Sequence, residues 1–229
     1  MSTPSPDGSR PAIVIIVGPP GSGKGSLCKA LVEKNSRFEH LSVGDYLREI
    51  CQHDELPENM IQDHRAKDFN IKNLKSYISQ QEQLPEFIMK DIIGYVLKRD
   101  GWIIDSSPQP KASAESQSSV PRVRDQRILL LDGYPRTIEG VRGFAAFGKP
   151  IKVLSLHCGK DVCEERFVSR KRSKDDDTAR FSKRFSGFDK EIGEIEGRYA
   201  DIIELIDARQ SKEDVLEHVV GLLAAIDGV

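Results

Sequence analysis

The chain has 229 residues, with 34 Lys+Arg against 36 Asp+Glu for a net charge of −2, so no global pull toward nucleic acid or an anionic membrane surface is expected. Its length suits one α/β core with small inserted subdomains, and no apolar run approaches membrane-spanning length. Cys28, Cys51, Cys158 and Cys163 make no C-x-x-C pair, which predicts neither a zinc site nor a disulfide framework. Residues 1–10 are polar, with Pro4, Pro6 and Gly8 but no apolar h-region; they are expected to be disordered, on a cytoplasmic or nuclear protein.

In chain order, strands alternate with helices. Apolar, β-branched runs predict strands at 13–17, 38–42, 128–132, 151–158 and 202–207. Helical spacing predicts helices at 23–34, 44–52, 71–79, 85–99, 137–147, 160–171, 179–198 and 211–226. Ser211 with Asp214 is close to a capping box, and Pro85 suits a first turn. This alternation predicts an α/β fold with a five-stranded parallel sheet flanked by helices. The Ser/Pro-rich stretch at about 106–124 interrupts the rhythm. It carries three prolines and almost no apolar residues, so it is expected to be a disordered insertion, entering at the end of its strand far from the ligand edge.

The first strand runs into Gly18-Pro19-Pro20-Gly21-Ser22-Gly23-Lys24-Gly25-Ser26. Such a glycine-rich turn points backbone N–H groups inward at phosphate oxygens, and the following helix adds its positive end. Lys24 is the mobile cation for the terminal phosphates. An ordinary strand-to-helix turn needs no such lysine, so the segment predicts nucleoside triphosphate binding. The strict pattern G-x-x-x-x-G-K-[ST] fails by one residue, because Gly25 follows Lys24 and the hydroxyl comes at Ser26. Two further strands carry an arginine just past their carboxyl ends: Arg48 in His40–Arg48 and Arg136 in Asp132–Thr137. Two guanidinium forks converging on one phosphate group are expected there. Arg166, Arg170, Arg172 and Arg184 form a third basic cluster.

These residues together resemble the adenylate kinase and UMP-CMP kinase group of nucleoside monophosphate kinases. The family's G-x-P-G-x-G-K-G-[TS] loop is matched by Gly18 to Ser26, Gly25 included. His40 to Arg48 is similar to H-[IL]-S-x-G-[DE]-L-L-R, with Tyr46 for the usual Leu, and D-G-[FY]-P-R stands intact as Asp132 to Arg136. Glu165–Arg170 resembles the E-R-x-x-x-R start of a lid, Arg172–Asp176 its end with one extra residue, and Arg184 the arginine of the next helix. The resemblance implies a P-loop NTPase fold, a single domain over 11–229, with a helical monophosphate-binding flap at about 43–84 and a short lid at about 170–180. It also implies a monomer that transfers the ATP γ-phosphoryl group to a nucleoside monophosphate.

By the same resemblance, Pro20, Gly21, Ser22, Gly23, Lys24, Gly25, Ser26, Arg166, Arg170 and Gln210 would bind ATP. Ser42, Val43, Arg48, Gln83, Leu84, Gly133, Tyr134, Pro135, Arg136, Gly140, Arg172 and Arg184 would bind the acceptor. Lys24, Asp132, Arg136, Arg166, Arg170, Arg172 and Arg184 would act in catalysis. Asp132 would hold Mg²⁺ through water, with Ser26 a second candidate. Three departures stand out: Gly140 replaces the Gln or Asn that reads the acceptor base, Val43 replaces a common Thr, and the flap is long and polar. Glu139, Gln81 and Gln83 are candidate replacement readers. AMP is the expected acceptor, with a UMP/CMP preference as runner-up. A catalytically weakened nucleotide-binding regulator is a reading of another class, and joint retention of Lys24, Asp132, Arg48 and Arg136 argues against it. An RNA-associated kinase is disfavoured by the near-neutral charge. His40 reads as a packed residue, His53, His64, His157 and His218 as scattered, Asp175–Asp177 as an anchor for lid arginines, and Phe181, Phe185 and Phe188 as core.

Overall fold

The computed structural model describes residues 12–80, 82–103, 127–170 and 177–226. The N-terminal segment, Gln81, the Ser/Pro-rich insertion, and Arg172 with the rest of 171–176 lie outside the described residues.

Five strands, β1 (Ala12–Val17), β2 (Phe38–Ser42), β3 (Ile128–Asp132), β4 (Lys152–His157) and β5 (Ile203–Asp207), form one sheet in the order β2-β3-β1-β4-β5. Every pairing is parallel. Among the described residues, eight helices connect and cover them: α1 (Lys24–Lys34), α2 (Val43–Ile50), α3 (Ile71–Gln80), α4 (Glu86–Arg99), α5 (Ile138–Phe144), α6 (Lys160–Ser169), α7 (Thr178–Arg198) and α8 (Lys212–Ile226). The sheet is buried on both faces, as parallel sheets require. One apolar cluster joins Ile13, Ile15, Leu129 and Leu131 to α2, α4 and α7. The other joins Val14, Ile16 and Leu130 to α1 and α8. All six β1 residues are buried; each large apolar side chain among them contributes about 1.5–3 kcal/mol on burial.

The elements follow the sequence closely, with local differences. The segment expected as one helix over 137–147 is α5 followed by a 3-10 turn (Ala145–Phe147). The helix expected to reach Lys171 ends at Ser169. Within the flap, the polar stretch between α2 and α3 is pinned rather than loose. Asp91 Oδ2 on α4 accepts from the Gln62 and Asp63 backbone N–H groups, both at 2.7 Å, and Met60 and Ala66 are buried. The disulfide expectation is overturned, because Cys158 and Cys163 are bonded to each other. The turn through Gly159 folds the start of α6 back over the end of β4, so the two Cα atoms lie 6.3 Å apart despite the absent C-x-x-C spacing.

Candidate active site

β1 sits where the chain reverses its direction of growth through the sheet, with β3 on one side and β4 on the other. The crevice outside the carboxyl ends at such a point is where ligands bind in these folds. Register brings the relevant residues level: Asp132 is opposite Ile16 on β1 and Ser42 on β2. The phosphate loop, Ser42 to Arg48 and Asp132 to Arg136 therefore leave the sheet side by side.

Three loop glycines take the positive φ that L side chains resist: Gly18 at 151°, Gly21 at 85° and Gly23 at 96°. Gly21 also lies against α6, where a Cβ would fall 2.0 Å from the Cys163 carbonyl oxygen. Ser22 is buried. Lys24 Nζ donates to the carbonyl oxygens of Gly18 and Pro19, each at 2.8 Å, and to Ser22 Oγ at 3.3 Å. Lys24 is half-buried, and its ammonium is held by these groups. Burial pulls it down to about 8; Asp132 opposes this, while the Arg136 and Arg184 charges add to it. Gly25 lies in the first turn of α1 and Ser26 is exposed at the cleft.

Asp132 is buried at the end of β3. Burial alone would raise its carboxyl, but His40, Lys24 and Arg136 outweigh that and hold it below the usual carboxylate range. His40 Nε2 lies 3.7 Å from Asp132 Oδ2 and has no hydrogen-bond partner among the described residues. His40 is thus a neighbour of the site rather than only a packed residue.

The two arginines expected at the acceptor site fold over glycines. Arg136 Nε donates to the Gly133 carbonyl at 2.7 Å, and a Cβ on Gly133, which has φ 92°, would lie 3.1 Å from Arg136 Nη2. Arg48 lies over Gly44 in the same way, with Nη2 at 3.5 Å from a Cβ built there, and pairs with Asp45. Arg136 is exposed by area yet surrounded by protein; desolvation lowers its guanidinium, Asp132 and Glu86 oppose, and Arg48 adds. Two cations close enough to oppose each other's charge are the arrangement a phosphate dianion relieves.

The remaining sequence-predicted residues divide. Ser42 caps α2, its Oγ accepting from the Asp45 backbone N–H at 3.4 Å. Val43 and Leu84 are buried in the core, at 0% and 5% exposure, and Gln83 is exposed. Tyr134 is buried, its hydroxyl donating to the Gly140 carbonyl at 3.2 Å, and the Tyr134–Pro135 peptide is cis. Arg166 Nη1 donates to the Ala208 carbonyl at 2.7 Å, tying α6 to the loop after β5, where Gln210 is exposed. Arg170 and Arg184 both lie over the Phe167 ring, at 4.2 and 5.5 Å from its centroid. Phe181 is fully buried with Phe167 and Cys163, and Phe185 packs beside them. Glu86, absent from the predicted residues, stands directly beside Gly140; no spacing signal links positions 54 residues apart.

At the mouth of the phosphate-binding loop, Lys24 and Arg136 act on the Asp132 carboxylate, Arg184 on Lys24 and Arg48 on Arg136. An AAA domain model matches residues 17–128. Human adenylate kinase isoenzyme 5 is 27% identical over 223 residues, covering 95% of this chain and 33% of that protein, so the chain spans about a third of that relative's length. UMP-CMP kinase 1 of Oryza sativa is 27% identical over 227 residues, with 97% of this chain and 78% of that protein covered. Adenylate kinase of Nautilia profundicola is 26% identical over 227 residues, with 93% and 98% covered. Loop, paired arginines and strand-end carboxylate agree with these likenesses, and over nearly its whole length the chain is similar to adenylate kinases and UMP-CMP kinases.

Proposed function

We propose that the protein transfers the γ-phosphoryl group of ATP reversibly to a nucleoside monophosphate, with AMP the best acceptor. The observation that carries this reading is the convergence of Lys24, Asp132, Arg136 and Arg184, with Arg48 beside them, at the carboxyl edge of β1 and β3. Phosphoryl transfer needs alignment and neutralisation of the charge on the moving group more than covalent chemistry. Loop N–H groups and Lys24 would hold the β- and γ-phosphates. Arg48 and Arg136 would hold the acceptor phosphate in line. Arg166, Arg170, Arg172 and Arg184 would close over the transferring group and keep water out.

Asp132 fits a magnesium ion held through water: it is ionised, at the strand end, with a cation on one side and His40 on the other. Ser26 is exposed beside the loop and can share that role. Asp132, with Ser26, would hold the ion, and the chemistry it would supply there is neutralisation of phosphate charge. No helix of the described residues is long and apolar enough to cross a membrane; we place the protein in the cytoplasm, acting as a monomer.

The test is a coupled assay of wild-type protein with ATP and Mg²⁺ over AMP, CMP, UMP and GMP. Diphosphate product with at least one acceptor is expected. ATP binding without product from any of the four would move the reading to a nucleotide-binding regulator.

A further inference from the structure

Position 140 lies four residues beyond Arg136, where the kinase resemblance implies a base-reading side-chain amide, and the chain has glycine there. That volume is filled from another helix. A Cβ built on Gly140 would lie 3.0 Å from Glu86 Oε2, and 3.2 Å from both Pro135 Cβ and Thr137 Oγ1. Glu86, the first residue of α4, has its carboxylate where a side chain at 140 would begin.

The orientation of that carboxylate is fixed. Thr137 Oγ1 accepts from the Gly140 backbone N–H at 2.9 Å, so its own proton goes to Glu86 Oε1, at 2.5 Å. Oε2 is shielded from solvent and has no hydrogen-bond partner among the described residues. A buried carboxylate oxygen left without a donor is costly and is seldom kept without a use. Burial raises the Glu86 carboxyl; the Thr137 hydrogen bond opposes this, Glu139 adds to it, and Arg136, the guanidinium assigned to the acceptor phosphate, opposes it. It lines a cavity of about 480 Å³ between loop residues 62–65, α4 and α5.

We infer that Glu86 reads the base of the acceptor nucleotide in place of the side chain absent at 140, Oε2 accepting a hydrogen bond from an exocyclic amino group. The inference rests on the kinase reading of the site. A carboxylate oxygen is acceptor-only. Adenine and cytosine offer an amino donor at the matching edge; uracil offers a carbonyl oxygen there, which the carboxylate repels. The acceptor preference is therefore for amino-bearing bases as a class rather than for purines.

The wild-type protein is assayed with AMP, CMP and UMP, and with purine riboside monophosphate, which is AMP without its amino group. Loss of the amino group is expected to lower kcat/KM about tenfold, and UMP to fall below CMP by about tenfold or more. Glu86→Gln, which can donate to a carbonyl, is expected to lower kcat/KM for AMP and CMP about tenfold and to raise it for UMP, with KM for ATP within about twofold. Equal losses on all three acceptors, or an unchanged profile, would overturn the role of Glu86. If Glu86→Gln does not fold, wild-type indifference to the amino group overturns it and a tenfold penalty supports it. Absence of any turnover by the wild-type protein would overturn the kinase reading and this inference with it, whereas turnover blind to the amino group overturns the inference alone.

Discussion

Lys24 Nζ donates a 2.8 Å hydrogen bond to the carbonyl oxygen of Gly18, at the far end of its own loop. The lysine is thus folded back over the phosphate cradle, and it must exchange backbone acceptors for phosphate oxygens when a nucleotide arrives. Its position also sets its titration, since enclosure by the loop brings the ammonium down to about 8.

A pH dependence follows. In the free protein the charged form of Lys24 is lost as pH rises through about 8, and only the charged form attracts phosphate. kcat/KM for ATP should therefore fall above about pH 8, approaching tenfold per pH unit. kcat should hold to higher pH, because bound phosphates favour the charged lysine. Lys24→Ala should lower kcat by roughly 10³-fold and flatten the alkaline limb. A wild-type kcat/KM profile for ATP that stays level to pH 10 would count against Lys24 as the triphosphate cation.

Arg136 is held by Gly133 and opposed by Arg48, so its fork is prepositioned before any acceptor arrives. Arg136→Ala should raise KM for the monophosphate and lower kcat, each by at least about tenfold, because one fork both binds and aligns. Arg136→Lys should recover binding better than kcat, since a point charge replaces a planar fork. Steady-state kinetics over monophosphate concentration read both; wild-type values for Arg136→Ala would show the acceptor site misassigned.

Much of this was legible in the sequence because local chemistry carries it. An unbroken apolar run must be buried on both faces, as Ile13 to Val17 is. Glycines at Gly18, Gly21 and Gly23 mark a backbone shape that other residues resist. The relations that were not legible are those across long separations or inside turns. Glu86 meets Gly140 through the packing of α4 against α5, and no periodicity encodes that approach. Cys158 meets Cys163 because of a single turn at Gly159, not because of motif spacing. Asp91 pins residues 62 and 63 by accepting two backbone N–H groups, an anchor across 28 residues that the polar composition of the flap does not encode.

Glycines in this chain should respond to substitution in opposite directions. At Gly21, φ is 85° and an added Cβ would lie 2.0 Å from the backbone oxygen of Cys163, a clash no rotamer relieves. Gly21→Ala should raise KM for ATP by tenfold or more, roughly, and lower Tm by several degrees. Gly187 sits within α7 with nothing near an added Cβ. Gly187→Ala should gain about 0.5–1 kcal/mol and raise Tm by about 2–4 °C, with kinetics unchanged. Thermal melts and ATP titrations of the two variants check both; a stable, tight-binding Gly21→Ala would show that α6 does not press on the loop.

Removing Ser106–Arg122 should leave the enzyme working. The stretch carries Pro108, Pro110 and Pro121 and almost no apolar side chains, so its sequence offers nothing to bury. The described residues on either side are already held together, with the Arg127 guanidinium 4.3 Å from the centroid of the Trp102 ring and Trp102 itself buried. A short linker can therefore join the two ends, and shortening a loop changes closure entropy only slightly. The insertion also rejoins the sheet at the wrong end to reach the chemistry. Ile128 is level with Ala12 and Phe38, whereas Asp132 lies four residues further along β3, about 13 Å away. With a Gly/Ser linker in place of 106–122, kcat and both KM values should stay within about twofold of wild type. A folded deletion variant that loses most of its activity would show that the segment reaches the site from across the sheet, overturning that placement.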